Sequence, residues 1–345
     1  MKAVAYPEPA WRRHRVAGAA ALVVAAVIGN ACGGGGDAQA GSSGSTGGTS
    51  TAASLAAGYR QAKWQAGVTV SFSGDCTMSY TSSGNPSHGL AAYYLVPVQA
   101  GGTVVAVTPY GGLQLGIGTL PLSTRSTTYT FNICPATAAR TTTIAGGAMG
   151  WMLSGAALFN AFEGDQSTVA TRDNVSVTFT DSQGATQRAA FLDNCAGHQA
   201  PQANQYHYHG WSACLRDAAG DGTTGASHLI GIALDGFPIY GDRDLNGNRV
   251  ATTALDECNG ITSPTPEFPG GVYHYVLPEG SLSAQSAPRC YRGTVPAQLA
   301  VQMALNASLC VTPGTAQVAG SAGGAALESA PQRKAALAGN ARSRS

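Results

Sequence analysis

The sequence predicts a mainly β protein: an internally duplicated β-sandwich or barrel-like domain, cross-linked by disulfides and carrying few short helices. Three observations lead there. Between Val68 and Leu192 the apolar residues come in short β-branched or aromatic runs, cut by Gly, Pro and Asn clusters. Four sequence landmarks then recur, in the same order, in two successive stretches. Finally, seven cysteines follow Cys32, and in an oxidising compartment such cysteines pair.

In chain order, the N-terminus comes first. "WRRHR" is a basic segment followed by "VAGAAALVVAAVIG", an apolar run too short to span comfortably as a mature helix. "NACGGGG" comes next, so residues 1–31 are expected to be a lipoprotein-type signal peptide with Cys32 as the lipidated residue, although Gly29 stands where Leu is usual. Cleavage after Ala31 or at the "AQA" ending at Ala40 stays open as the conventional alternative. Either route predicts export, to the cell envelope with a lipid anchor or as a secreted protein. Residues 32–58 are expected to form a Gly/Ser-rich linker and residues 313–345 a disordered tail, because both lack large apolar side chains. The folded domain is therefore expected over 59–312.

Charge excludes one class of partner. The formal net charge of +1 is set by the leader, where Lys2, Arg12, Arg13 and Arg15 face only Glu8. No Lys/Arg cluster lies outside the leader and the extreme tail, so no nucleic-acid partner is expected. A membrane contact is expected only through the lipid, if Cys32 carries one.

Within the domain, "VTVSF", "AAYYLVPV", "TVVAV", "TYTFNI" and "NVSVTFT" read as strands, and "TDSQGAT" as a hairpin turn between Phe179 and Ala189. Helical patterning is confined to short possibilities near Thr137–Arg140 and Pro296–Leu305.

The repetition runs as follows. "GWMLSGAALFN" (Gly150–Asn160) aligns without gaps to "GIALDGFPIYG" (Gly231–Gly241). "LDNCAG" at Leu192 matches "LDECNG" at Leu255, "YHY" recurs at Tyr206 and Tyr273, and each stretch ends in a Cys, at 214 and 290. Two units, about 149–214 and 230–290, are expected to pack face to face, each too small to bury its apolar side alone. The same repetition pairs Cys195 with Cys214 and Cys258 with Cys290, each worth roughly 3 kcal/mol in the chain-entropy model. Cys76, Cys134 and Cys310 then leave one pair and one free thiol, in an order the sequence leaves open.

"CAGHQAPQANQYHYHGWSACL", "HLIGIALDGFPIYG" and "LDECNG…VYHY" resemble the YHYH-domain family, named for its tetrapeptide, across about Met149–Gly293 and more loosely from "TSSGNPSHG" (Thr81–Gly89). The resemblance implies export and carries no reaction with it. The second unit departs from the pattern: it reads "YHYV", and Ile261 stands where a histidine would be expected after "LDECNG".

The chemistry on offer centres on "YHYH". In a strand alternate side chains share a face, so His207 and His209 point the same way, with Cα atoms roughly 6.5–7 Å apart. Two neutral imidazoles at that spacing can converge on one transition metal, copper or zinc. Further ligands are expected from His198, His274 and His228, with His88 another candidate. Asp193, Asp235 and Asp256 are expected as acceptors for the ring N–H groups, or as ligands themselves. Asp242, Asp244 and Asn246, followed by Gly247, match the opening of a calcium loop, but Thr253 replaces the closing acidic residue, and a plain turn is the preferred reading over a calcium site. No GxSxG, CxxC or phosphate-cradling glycine loop is present. Three functions stay open: a metal-binding envelope module; an enzyme using a metal or a His/Asp cluster, whose reaction the sequence does not name; and a structural or adhesive domain in which YHY and LDxC pin two halves together.

Overall fold

A computed structural model describes residues 51–97, 115–119, 122–123, 125–144, 147–163, 167–170, 176–200 and 205–302. The leader, Cys32, the "TVVAV" segment, Cys310 and the tail lie outside the described residues. The class is mainly β, as the patterning predicts, with three disulfides.

The chain enters through helix α1 (Ala52–Gln61), then β1 (Val68–Ser73), β2 (Thr77–Ser82), β3 (Tyr94–Pro97), β4 (Leu115–Gly118), β5 (Thr127–Asn132), β6 (Thr137–Thr143), β7 (Ala148–Met152) and β8 (Ala157–Phe159). It continues through β9 (Ser176–Thr180), β10 (Thr186–Ala190), β11 (Gly197–Ala200), β12 (Gln205–Tyr208), α2 (Ala213–Ala219), β13 (Leu229–Ala233) and β14 (Pro238–Gly241). After a 3-10 turn at Thr252–Ala254 come β15 (Gly260–Ser263), β16 (Val272–Leu277), β17 (Cys290–Gly293) and α3 (Ala297–Gln302).

Eight strands form the central sheet, in the order β11-β12-β8-β7-β13-β14-β16-β15. The segments carrying the repeated motifs occupy mirror places in it. β7 and β8 are an antiparallel pair, as are β13 and β14. β8 runs parallel to β12, as β14 does to β16, and the outer pairs β11/β12 and β15/β16 are antiparallel hairpins. The two stretches meet edge to edge, where β7 and β13 pair antiparallel with Ile232 opposite Trp151.

That junction corrects the expected face-to-face packing. Every residue of β7 and of β13 is buried, as in a central strand covered on both sides. Gly150 and Gly231 let the two backbones close up: a Cβ on Gly150 would sit 2.6 Å from the Ile232 carbonyl, and one on Gly231 2.8 Å from that of Trp151. One face of this junction is covered by the three-stranded sheet β1-β2-β5. There Tyr129 stacks on Trp151 with 4.4 Å between centroids, and the Tyr80 hydroxyl donates to the Met152 carbonyl at 2.8 Å. A smaller core around Leu95, Leu115, Phe191 and Leu192 fills the sheet β4-β3-β10-β9.

Three helix assignments differ from expectation. Residues 51–58, expected as tether, begin α1, capped by Thr51 accepting from the Ser54 N–H and anchored by the Tyr59 hydroxyl on the Gly236 carbonyl at 2.7 Å. The Thr137–Arg140 segment is strand, not helix, because Thr141–Thr143 favour extended backbone and β17 supplies a partner. Helix α2 has a Ser212 cap and a left-handed Gly220 stop, but at seven residues it is too short to show a helical period. Near the C-terminus α3 falls inside the expected helical stretch, and the Asp181–Gly184 turn closes the β9/β10 hairpin as "TDSQGAT" predicts.

Candidate metal centre

Each repeated LDxCxG…YHY set builds one local latch. In the first unit, Asp193 accepts from the Tyr206 and Tyr94 hydroxyls at 2.9 Å each and from the Cys195 N–H at 2.8 Å. In the second, Asp256 accepts from the Tyr273 hydroxyl at 3.0 Å and from the Cys258 and Gly260 N–H groups at 2.9 Å. The motif glycines are needed because each tyrosine lays its ring over one. A Cβ on Gly197 would run into Tyr206, and a Cβ on Gly260 into Tyr273. Both turns place the preceding residue, Ala196 or Asn259, at φ near +60°. Burial raises the Asp193 carboxyl above its usual value, against the lowering effect of the Tyr206 and Tyr94 hydroxyls.

These contacts correct the expectation that Asp193, Asp235 and Asp256 serve histidine N–H groups. They hold tyrosines instead: Asp235 accepts from Tyr275 at 2.5 Å and from the Gly293 N–H at 2.8 Å, and burial lifts it to about 6. The disulfides lie beside the latches, Cys195–Cys214 with Cα atoms 5.4 Å apart and Cys258–Cys290 at 4.8 Å. Cys76 pairs with Cys134.

On the face of β12 opposite the latch tyrosines, three imidazoles meet. His198 of β11 stands directly across from His207 of β12. His209, two residues on, is kept in line by its N–H donating to the Ala196 carbonyl at 3.0 Å. Ring centroids are 4.6 Å (198–207), 4.9 Å (207–209) and 5.3 Å (198–209) apart, and one ring nitrogen from each histidine falls within 4.8 Å of the others. His207 and His209 are 3% and 2% exposed, and His198 is partly exposed.

The orientation of His209 is set from behind. Its Nδ1 lies 2.8 Å from the Asn160 carbonyl, which can only accept, so Nδ1 carries the proton and Nε2 presents a lone pair. That Nε2 is 3.3 Å from Nε2 of His198. His207 stacks on Phe159 at 3.9 Å, and His198 leans on Phe191 at 4.8 Å. Burial pushes His209 down to about 4 and His198 well below its usual value, His209 adding to the latter effect. For His198 and His209 this favours the neutral ring, the form that ligates metal.

The other candidates are placed elsewhere. His274 sits in β16 with Nδ1 3.0 Å from the Val272 carbonyl and its ring against Tyr240, and His228 pairs with Asp221 at 2.5 Å. Convergence of imidazoles from both units is therefore not what the structure shows, because the units share a sheet edge to edge. His88 bonds the Tyr208 hydroxyl at 2.7 Å; it neighbours Cys195 and Cys214, but their sulfurs are joined to each other and are not thiolate donors. The supposed calcium loop is a plain turn. Asp242 is engaged by Arg249 and by the Glu279 N–H, while Asp244 accepts from the N–H groups of Asn246 and Asn248 at 2.9 and 2.8 Å.

Phe159 and Asn160 escaped the sequence reading of the site. Their signal was present: they end the first copy of the long repeat, aligned with Tyr240 and Gly241 of the second.

Residues 128–248 match the family model described as "YHYH protein", a segment that holds all three clustered histidines and ends before the second LDxCxG. No curated protein and no solved structure matches the chain. Asp193, Tyr206, the Cys195–Cys214 disulfide and the three clustered histidines all lie inside the segment that is similar to the YHYH family.

Proposed function

We propose that the protein is an exported metal-binding module of the cell envelope, holding one transition-metal ion, copper or zinc, through His198, His207 and His209. Export rests on the basic and apolar leader, with Cys32 as a lipid anchor. One observation carries the metal reading: the Nε2 atoms of buried His209 and partly exposed His198 face each other at 3.3 Å, the former fixed as a lone-pair donor by the Asn160 carbonyl. Two nitrogens bound to one ion at about 2.0–2.1 Å, at near-tetrahedral angles, lie roughly that far apart.

The second unit supports this over a purely structural role. It keeps the Asp–Tyr–Gly–Cys latch with Ile261 and Val276 in the places of His198 and His209, so the latch closes without the extra imidazoles. The test is metal analysis of protein purified without a histidine tag. Wild type is expected to carry close to one equivalent, and a His207→Ala/His209→Ala variant less than a tenth of that. Equal metal content in the two would remove the proposal.

A further inference from the structure

We infer that the ion this site takes is cuprous copper, bound as a three-coordinate monovalent centre by His198, His207 and His209. This rests on the metal-binding reading above and narrows it to one charge state.

Charge is the first reason. Among the described residues, the donor group is three imidazoles, with no carboxylate or thiolate joining it. Asp193 is turned to Tyr94 and Tyr206, and Cys195 and Cys214 are bonded to each other. Three neutral donors leave the full charge of the ion in a site walled by Phe159 and Phe191. The cost of burying charge in such surroundings rises with the square of the charge, about fourfold from a monovalent to a divalent ion.

Coordination geometry is the second. Cupric copper favours a square-planar or tetragonal donor set. Here the rings are inclined to one another by 53–67° and come from one face of a two-stranded hairpin, an arrangement that offers a triangle and not a square. Zinc accepts that inclination, but its structural sites take four protein ligands and its three-imidazole sites add a water as the fourth, which would leave the divalent charge uncompensated between Phe159 and Phe191. A cuprous ion has a filled d shell, imposes no square plane, and is satisfied by three imidazoles. His198, on the edge strand and partly exposed, is where the ion first meets the site.

The experiment uses full-length, untagged, metal-free protein under anaerobic conditions, with a chromogenic Cu(I) chelator as competitor and parallel titrations with Zn(II) and Cu(II). The expected result is one Cu(I) per chain, held at least 100-fold more tightly than Zn(II), with Cu(II) failing to fill the site at the same free concentration. His198→Ile and, separately, His209→Val place in the first unit the residues that stand at 261 and 276. Each is expected to weaken Cu(I) retention at least tenfold while melting within a few degrees of wild type. Zn(II) bound as tightly as Cu(I), or Cu(II) held where Cu(I) is released, overturns the cuprous assignment and leaves the metal site standing. Binding of none of the three ions overturns both. A variant of either kind that folds and keeps full Cu(I) retention overturns the ligand assignment.

Discussion

The two halves of the central sheet are built on the same plan and diverge at one place. Both close a carboxylate over a tyrosine hydroxyl, lay that tyrosine on a glycine and place a disulfide beside it. Only the first sets three imidazoles on the opposite face. Across the hairpin, the pair His198/His207 corresponds to Ile261/His274, and His209 corresponds to Val276. The backings differ to match. Phe159 stacks flat on His207 where Tyr240 meets His274 edge-on, and the Tyr240 hydroxyl is committed to Glu267 at 2.8 Å. The lesson is that the latch and the imidazole cluster are separable in this chain: the second stretch shows what the latch needs, and the extra imidazoles of the first are what the metal proposal rests on.

The largest expected effect tests the shared part. Asp193→Ala strands the Tyr206 and Tyr94 hydroxyls and Asp256→Ala that of Tyr273, each with backbone N–H groups besides, so each should cost about 3–5 kcal/mol by denaturant unfolding. A large loss for one and none for the other would show that the halves are not equivalent scaffolds.

Acid should weaken the metal-free protein through the buried rings. His209 and His274 are held near 4 by burial, while an unfolded histidine takes its proton near 6.5. The unfolded chain therefore binds more protons between those values, and stability falls as pH drops from about 6.5 towards 4, by about 3 kcal/mol per ring. His198 adds a loss of the same sign in the first half. Melting temperatures of metal-free protein between pH 7 and 4.5 check this, and a flat profile would contradict the neutral, buried state of the rings.

Smallest is the effect of His198→Ile on the stability of metal-free protein, expected within about 1 kcal/mol because an apolar side chain already fills the corresponding place at Ile261. A loss of several kcal/mol would make His198 part of the scaffold after all.

Much of this was legible in the residues. The motif order gave the disulfide pairs 195–214 and 258–290, and the alternation in "YHYH" put His207 and His209 on one face. The departure at Ile261 marked the place that His198 fills in the other copy. Edge-to-edge joining was missed, although "AMGWM" and "LIGIA" are apolar without alternation, the mark of strands covered on both faces. The partners of Asp193 and Asp256 could not be read, since spacing shows that an aspartate lies near a tyrosine and a histidine but not which of them turns to it. Helix α1 was hidden by an Ala/Ser/Gly composition shared with the stretch of sequence before it, and its anchor is a contact of Tyr59 with Gly236, far away in sequence.

The most direct test of the central claim is X-ray absorption on the metal-loaded, untagged protein. Three imidazole nitrogens at about 2.0 Å, with the outer-shell scattering of histidine rings and no sulfur, are expected; that signal should be lost in His198→Ile. A spectrum dominated by oxygen or sulfur ligands, or one unchanged by that substitution, would contradict the site described for the first half.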